Sequence, residues 1–419
     1  MASGTRANPS IVALCFVSWI EILPDGSPER MRTDASLGRK RDASAAHRRR
    51  WVGLLAGLLF ADTATAFGQA EQPLPAQLAT MIASVGGIAP KQLAEVERGA
   101  AVVVSIDSPD HNEVALLGLV AVGVPRSFYV ARAGELPAYL SGAGRSAVGV
   151  FHEPATAADL SALTLDPSDV SALQKCRPSH CQVKLPDAMM QRLKQSVDWS
   201  ADRAAQVNAL IRDWLAEVVN GYRARGDEAL PVYDDTHVGE RSADGFRQLL
   251  GEDAHLLDEA PTLAAYLRGT TTERIPGLET AIWWAIDDRP GLRPTLSVEH
   301  LATYSGSDPH APTFIVTKQL YASHYFDAFL DVAALIDRAS ATVSSSASSG
   351  AGAGTYVLLL RRVRFDELPS GGLFNVRGRV IRKLRDGTRD ELARTKQMME
   401  TAYEHHSSST APRTTSPPR

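Results

Sequence analysis

Two cysteines, Cys176 and Cys181, stand five positions apart in LQKCRPSHCQVKLP, with Pro178, Ser179 and His180 between them. Three chemistries use such a pair: metal ligation, thiol–disulfide exchange and a structural disulfide. A zinc site wants four ligands, usually from two Cys-x-x-Cys-like pairs or a Cys/His set. Here the third cysteine, Cys15, is far upstream, and His180 directly precedes Cys181, a poor position for sharing one metal face. Redox motifs place two residues between the cysteines, and haem attachment needs Cys-x-x-Cys-His; neither pattern is met. The pair reads as a structural disulfide. So short a loop gains little chain entropy, so it pins a local turn, with Pro178 helping, rather than joining distant elements.

Other segments carry groups that could bind or react. LYASHYFDAFLD is the densest polar and aromatic stretch, with Tyr321, His324, Tyr325, Asp327 and Asp331. A His/Asp/Tyr set can do acid–base work or line a pocket with a few converging polar groups; the pocket is the expectation. If a strand runs from His324, alternation puts Tyr325, Asp327, Phe329 and Asp331 on one face and His324, Phe326, Ala328 and Leu330 on the other. In TLSVEHLATY, Leu296, Val298, His300, Ala302 and Tyr304 share a face. His300 is then either a hydrogen-bonded core histidine or a donor to a ligand's polar head. The expected ligand contacts are His300, Tyr304, Tyr321, His324, Tyr325 and Asp327.

YDDTHVGE offers Asp234, Asp235, His237 and Glu240, all metal-ligand types, but between helices it reads as a solvated turn, and no metal is assigned. Ser179 and His180 lack the Gly-x-Ser-x-Gly turn of a nucleophile elbow. There is no Gly-rich phosphate loop, dinucleotide fingerprint or HExxH, and no cofactor is expected.

The elements that must position these groups follow from the rest of the chain. Its 419 residues, 44% of them hydrophobic, can bury a real core. The 44 basic and 48 acidic residues leave a formal charge of -4, which argues against nucleic acid as a partner. HRRRWVGLLAGLLFADTATAFGQA has the layout of a secretory signal peptide: Arg48–Arg50, an apolar run from Trp51, and Ala-x-Ala at Ala64–Ala66 or a second candidate ending at Ala70. The apolar run is too short to span a bilayer, which takes about 20 residues. Met31 is a candidate start, and the mature chain is expected to begin near Phe67 or Glu71. Export, to a periplasmic or secreted location, brings the cysteines into an oxidising compartment.

Residues 71–186 read as an N-terminal α/β part, with strands at Ala101–Ile106, Glu113–Val124 and AVGVFHEP, a helix in RSFYVARAGELPAYL, and the Cys loop. Residues 187–275 read as helical throughout. Val207, Leu210, Ile211, Trp214, Leu215, Val218 and Val219 repeat at three and four positions, with Ser200 as N-cap and Gly226 as stop. Residues 276–402 switch to period two. ETAIWWAID, TLSVEHLATYSG, TFIVTKQLYAS, HYFDAFLDVAALID and TYVLLLRRVRFD are five successive strands, an antiparallel meander. SATVSSSASSGAGAG is a flexible link before the last of them. A closing helix follows, with an apolar stripe of Leu373, Val376, Val380, Ile381, Leu384 and Leu392. Its polar side carries Arg377, Arg379, Arg382, Lys383, Arg385 and Arg389, read as a solvated face or, alternatively, as a contact for anionic lipid headgroups. The tail, residues 403–419, is rich in Ser, Thr and Pro and reads as disordered.

This order resembles the START/Bet v 1-like helix-grip fold over Val114–Phe151 and Glu279–Thr401, with the Cys loop and the helical block as an insertion. CRPSHCQVKLP and TKQLYASHYFDAFLDV also resemble segments of a group of uncharacterised secreted bacterial proteins, a likeness that carries no activity. The helix-grip resemblance implies an α+β fold in which an antiparallel sheet grips the last helix around an apolar cavity, with His300 and Tyr304 facing that helix beside Phe314 and Val316. The implied function is an exported binding or carrier protein for an apolar or amphipathic ligand such as a lipid. A hydrolase or cyclase-like enzyme using the same cavity, and an envelope structural protein without ligand, are the alternatives.

Overall fold

A computed structural model describes residues 74–133, 145–236, 239–251, 255–269, 274–288, 293–338, 354–368 and 376–410. The signal peptide, its cleavage sites, Met31, Cys15, His237, the Ser/Gly-rich link, Leu373 and the last nine residues lie outside the described residues.

The fold is α+β. Helices α1 (Ala76–Val85) and α2 (Pro90–Glu97) lead into strands β1 (Val102–Ile106) and β2 (Glu113–Val122), helix α3 (Arg126–Ala133) and strand β3 (Arg145–Val150). Helices α4 (Pro167–Leu173), α5 (Asp187–Ser196) and α6 (Arg203–Arg225) follow. Next come the short strands β4 (Val232–Tyr233) and β5 (Glu240–Arg241), then helices α7 (Ser242–Leu249) and α8 (Pro261–Leu267). The meander is β6 (Leu278–Asp287), β7 (Thr295–Ser305), β8 (Thr313–Ala322), β9 (Phe326–Arg338) and β10 (Gly354–Phe365), closed by helix α9 (Val376–Thr410). Eight strands form one antiparallel sheet in the order β1-β2-β10-β9-β8-β7-β6-β3. The early strands thus flank the meander on both sides, and the long last helix lies on the sheet in a helix-grip-like arrangement.

Both faces of the sheet are covered. Strands β2 and β8 are buried at every position, the pattern of strands with a layer on each side. On one face, Val298, Val316, Leu330 and Leu360 join a core with Ile211, Leu215 and Val219 of α6. On the other, Leu116, Val120 and Leu359 pack on Val380, Leu384 and Leu392 of α9. That packing is close: a Cβ added at Gly118 would lie 2.7 Å from Leu392 Cδ1. The helical block is therefore not an appendage but the second cover of the sheet.

Four expectations are corrected. His300, with Val298 and Ala302, faces the helical block and not α9, because the odd-numbered residues of β7 turn toward α9. The register is as expected, with Tyr304 opposite Phe314 and Ala302 opposite Val316, which places Lys318 opposite His300. Helix α6 is capped by Asp202, whose carboxylate accepts from Ala205 N at 3.5 Å; Ser200 instead donates to Asp198 at 2.6 Å. Residues 187–275 are interrupted by the β4–β5 hairpin. Helix α9 runs on to Thr410, through His405 and His406, where a disordered tail was expected. Among the described residues no helix is long and apolar enough to cross a membrane.

Candidate functional site

The Cys loop does local work. Cys176 and Cys181 are bonded, with Cα atoms 4.4 Å apart. The loop presents Ser179 N to Asp234 O at 2.8 Å and Cys181 N to Asp235 O at 3.1 Å, and Asp234 N returns to Leu185 O at 3.0 Å. It thereby fixes the backbone that carries Asp235. Ser179 has a positive φ of 62°, a conformation uncommon outside glycine. Cys176→Ser is expected to destabilise modestly, toward the low end of roughly 0–5 kcal/mol, and non-reducing peptide mapping of the wild type should show the two cysteines linked; free thiols would contradict this assignment.

Opposite that loop is the β8–β9 connection, Ser323–Tyr325. Ser323 exchanges hydrogen bonds with Leu296, its N–H donating to O at 2.9 Å and its Oγ accepting from N at 3.0 Å, and its carbonyl accepts from Lys184 N at 3.0 Å. His324 Nε2 lies 2.9 Å from Asp169 Oδ2, and Asp169 also meets Arg293 at 3.4 Å. Tyr325 has φ 69°, a genuine outlier for so bulky a side chain, and its hydroxyl accepts from Arg293 N at 3.1 Å.

The turn delivers Asp327 to an unexpected place. The β9–β10 register pairs Arg364 with Ala328 and Phe365 with Phe326, so Asp327 has no partner residue. This bulge re-aims the side chain. Asp327 and Ala328 both point at Gly245 of α7, where an added Cβ would lie 2.8 Å from Asp327 Oδ2. Asp327 therefore leaves the face of Phe329 and Asp331 that strict alternation assigned to it.

Around Asp327 gather groups from four other segments. One oxygen from each of Glu240, Asp327 and Asp366 lies within 4.8 Å of the others. Arg364 donates to Asp327 Oδ2, pairs with Asp110 at 2.8 Å and reaches Glu240 at 4.0 Å. Lys184 pairs with Asp366, donates to Phe326 O at 3.1 Å and stands 5.5 Å from the Tyr233 ring centre. Burial pushes the Asp235 carboxyl up to about 6, against the pull of Lys184 and with help from Asp366 and Glu240. Asp235 Oδ1, Glu240 Oε2 and Asp327 Oδ1 are buried with no hydrogen-bond partner among the described residues. Asp235 is only 5% exposed, so the expected solvated turn is instead the floor of a polar centre.

Of the residues singled out from sequence, Tyr321, His324, Tyr325 and Asp327 converge on this region. Tyr321 donates to Lys184 O at 3.1 Å and stacks edge-on with Trp214. His300 lies elsewhere on the sheet, its ring nitrogens 3.0 Å from Tyr222 Oη and 3.3 Å from Tyr266 Oη. Burial, with the cations Lys318 and Arg223 adding to it, pushes His300 down to about 3. Tyr304 packs half-buried at the margin of the same core. Sequence reading passed over Lys184, Asp169, Arg364 and Asp366; Asp235 and Glu240 carried a signal as ligand types close together, and Asp327 as part of a dense polar segment.

The α9 face holds a second buried network. Arg361, fully buried, donates to Asp331 from Nε at 2.8 Å and Nη2 at 2.6 Å, and to Glu391 and Thr388 of α9 at 2.9 and 3.0 Å. Nearby, burial pushes Glu299 up to about 8 against the pull of Arg145, so it is neutral at pH 7. On this same face a cleft of about 530 Å³ opens between α3 and the ends of β6–β8. Val130, Ala131, Pro309 and Ala311 give it apolar walls; Glu279, Ser305, Asp308 and Thr313 give it polar ones. Arg126 at its rim is engaged with Ala311 O, Pro309 O and, at 2.9 Å, Asp337.

No protein-family model and no curated protein matches this chain.

Proposed function

We propose that this chain is an exported binding protein for an amphipathic small molecule, with the cleft between α3 and the β6–β8 ends as its ligand site. The cleft carries the reading: about 530 Å³ falls within the roughly 300–1,000 Å³ of small-molecule sites, which combine apolar walls with a few placed polar groups. The space between α9 and the sheet, where the helix-grip resemblance implied a cavity, is occupied by Leu116, Val120, Leu359, Val380, Leu384 and Leu392. The ligand is therefore assigned to the end of the grip. Arg126 is already paired, while the lining carries the carboxylates of Glu279 and of Asp308, whose Oδ1 accepts from His310 N at 2.9 Å, so the polar end of the ligand is a hydrogen-bond donor or cation rather than a phosphate. The disulfide fits an oxidising compartment and supports export.

The test is native mass spectrometry of protein taken from its own exported fraction, followed by solvent extraction. A stoichiometric bound species is expected for the wild type. It should be lost in Ala131→Trp, which fills the cleft from an exposed position on α3 without entering the core. A wild-type protein that carries nothing, or a folded Ala131→Trp that keeps its ligand, would remove the assignment.

A further inference from the structure

We propose that the centre formed by Glu240, Asp327 and Asp366 is a calcium site that fastens the helical block to the sheet. The donors come from the β4–β5 hairpin, the β9 bulge and the residue just after β10; sheet pairing joins the last two, and the hairpin belongs to the helical block.

Charge is the first observation. Asp110, Asp235, Glu240, Asp327 and Asp366 crowd around two cations, Lys184 and Arg364. Buried carboxylates without compensation are expensive, and a divalent ion supplies what the two side chains leave short. Unsatisfied oxygens are the second. Asp327, with a side chain 1% exposed, spends Oδ2 on Arg364 and aims Oδ1 at no partner among the described residues, and Asp235 Oδ1 and Glu240 Oε2 share that condition. A native fold leaves few such atoms, and an ion is one of the ordinary explanations.

Geometry is the third. Calcium binds oxygens at about 2.3–2.6 Å, so oxygens on opposite sides of it sit roughly 5 Å apart; no pair in this set exceeds 4.8 Å. The donors are all carboxylate oxygens, the set of a hard cation rather than of zinc or copper. The side chains of Glu240 and Asp366 are 19% and 22% exposed, which leaves a side for water ligands and for entry. Gly245 completes the fit, because any larger residue there would press on Asp327.

Terbium luminescence on the full chain, stripped with chelator, tests this, since Tyr233 lies close enough to Asp235, Glu240 and Asp366 to feel their charge and can sensitise a bound ion. The expected result is a saturable signal, displaced by Ca²⁺ at lower concentration than by Mg²⁺, and a Ca²⁺-dependent rise in Tm. Glu240→Gln and Asp366→Asn, at half-open positions, should each weaken Ca²⁺ by about tenfold or more. Asp244→Asn, an exposed carboxylate on α7, should change nothing. Asp327→Asn should abolish the signal; if that variant fails to fold, the Glu240 and Asp366 variants decide. No saturable signal up to about 10 mM Ca²⁺, well beyond the weakest extracellular modules, overturns the site and leaves the centre balanced by protons. Equal affinity in Glu240→Gln, Asp366→Asn and wild type also overturns it, because the ion would then sit elsewhere.

Discussion

Arg361→Leu is expected to lose about 3–5 kcal/mol of stability, the range for breaking a buried ion pair from one side. Arg361 joins β9 and α9: its guanidinium meets both Asp331 oxygens and also Glu391 and Thr388. Burial pushes Asp331 up to about 6, so it is still ionised at neutral pH beside the guanidinium. Removing the arginine leaves two buried carboxylates facing each other across the sheet–helix seam. The triple variant Arg361→Met, Asp331→Leu, Glu391→Leu should recover most of the loss, since an apolar replacement of a whole buried network is often neutral or better. Urea unfolding midpoints measure both. A single-variant loss under about 1 kcal/mol, an ordinary surface effect, would mean that α9 is held by its apolar stripe alone.

His300 is expected to make the fold sensitive to acid. Its folded value is about 3, pushed down by burial, against about 6.5 in an unfolded chain. Between those values the unfolded state binds a proton that the folded state refuses. Stability from the neutral ring is therefore fully present above about pH 6.5 and is lost as pH falls, at about 1.4 kcal/mol per unit and roughly 5 kcal/mol across the window. Glu299 has the opposite sign. Its folded value is raised to about 8, so the stability it lends is complete below about pH 4.5 and is lost as pH rises toward 8. The variant-minus-wild-type difference isolates each proton. His300→Gln should flatten the curve between pH 4 and about 6.5, while Glu299→Gln should flatten it between about 4.5 and 8. Parallel curves for His300→Gln and wild type below pH 6 would show that the ring takes up a proton without unfolding.

Sequence alone determined the elements. Period two in ETAIWWAID through TYVLLLRRVRFD, and three–four spacing in Val207–Val219, force strands and a helix because those are the only ways to bury one apolar side of each. Short links between five strands force an antiparallel meander, and the disulfide follows from two cysteines near each other with no other ligands. The residues of the polar centre were partly legible too: Asp235 and Glu240 read as ligand types, and Asp327 as part of a dense polar segment. Tertiary structure alone decided where these point. One bulge at Asp327 shifted a side chain to the opposite face, and periodicity cannot register a shift of one residue. The helical block and α9 took opposite faces of the sheet, which reversed the surroundings of His300. Lys184, Asp327 and Asp366 are separated by up to 182 residues, and no local pattern links them. Local patterns record which surface a segment must bury; which partner buries it is set by packing between segments far apart in the chain, and that packing gathered the acidic centre.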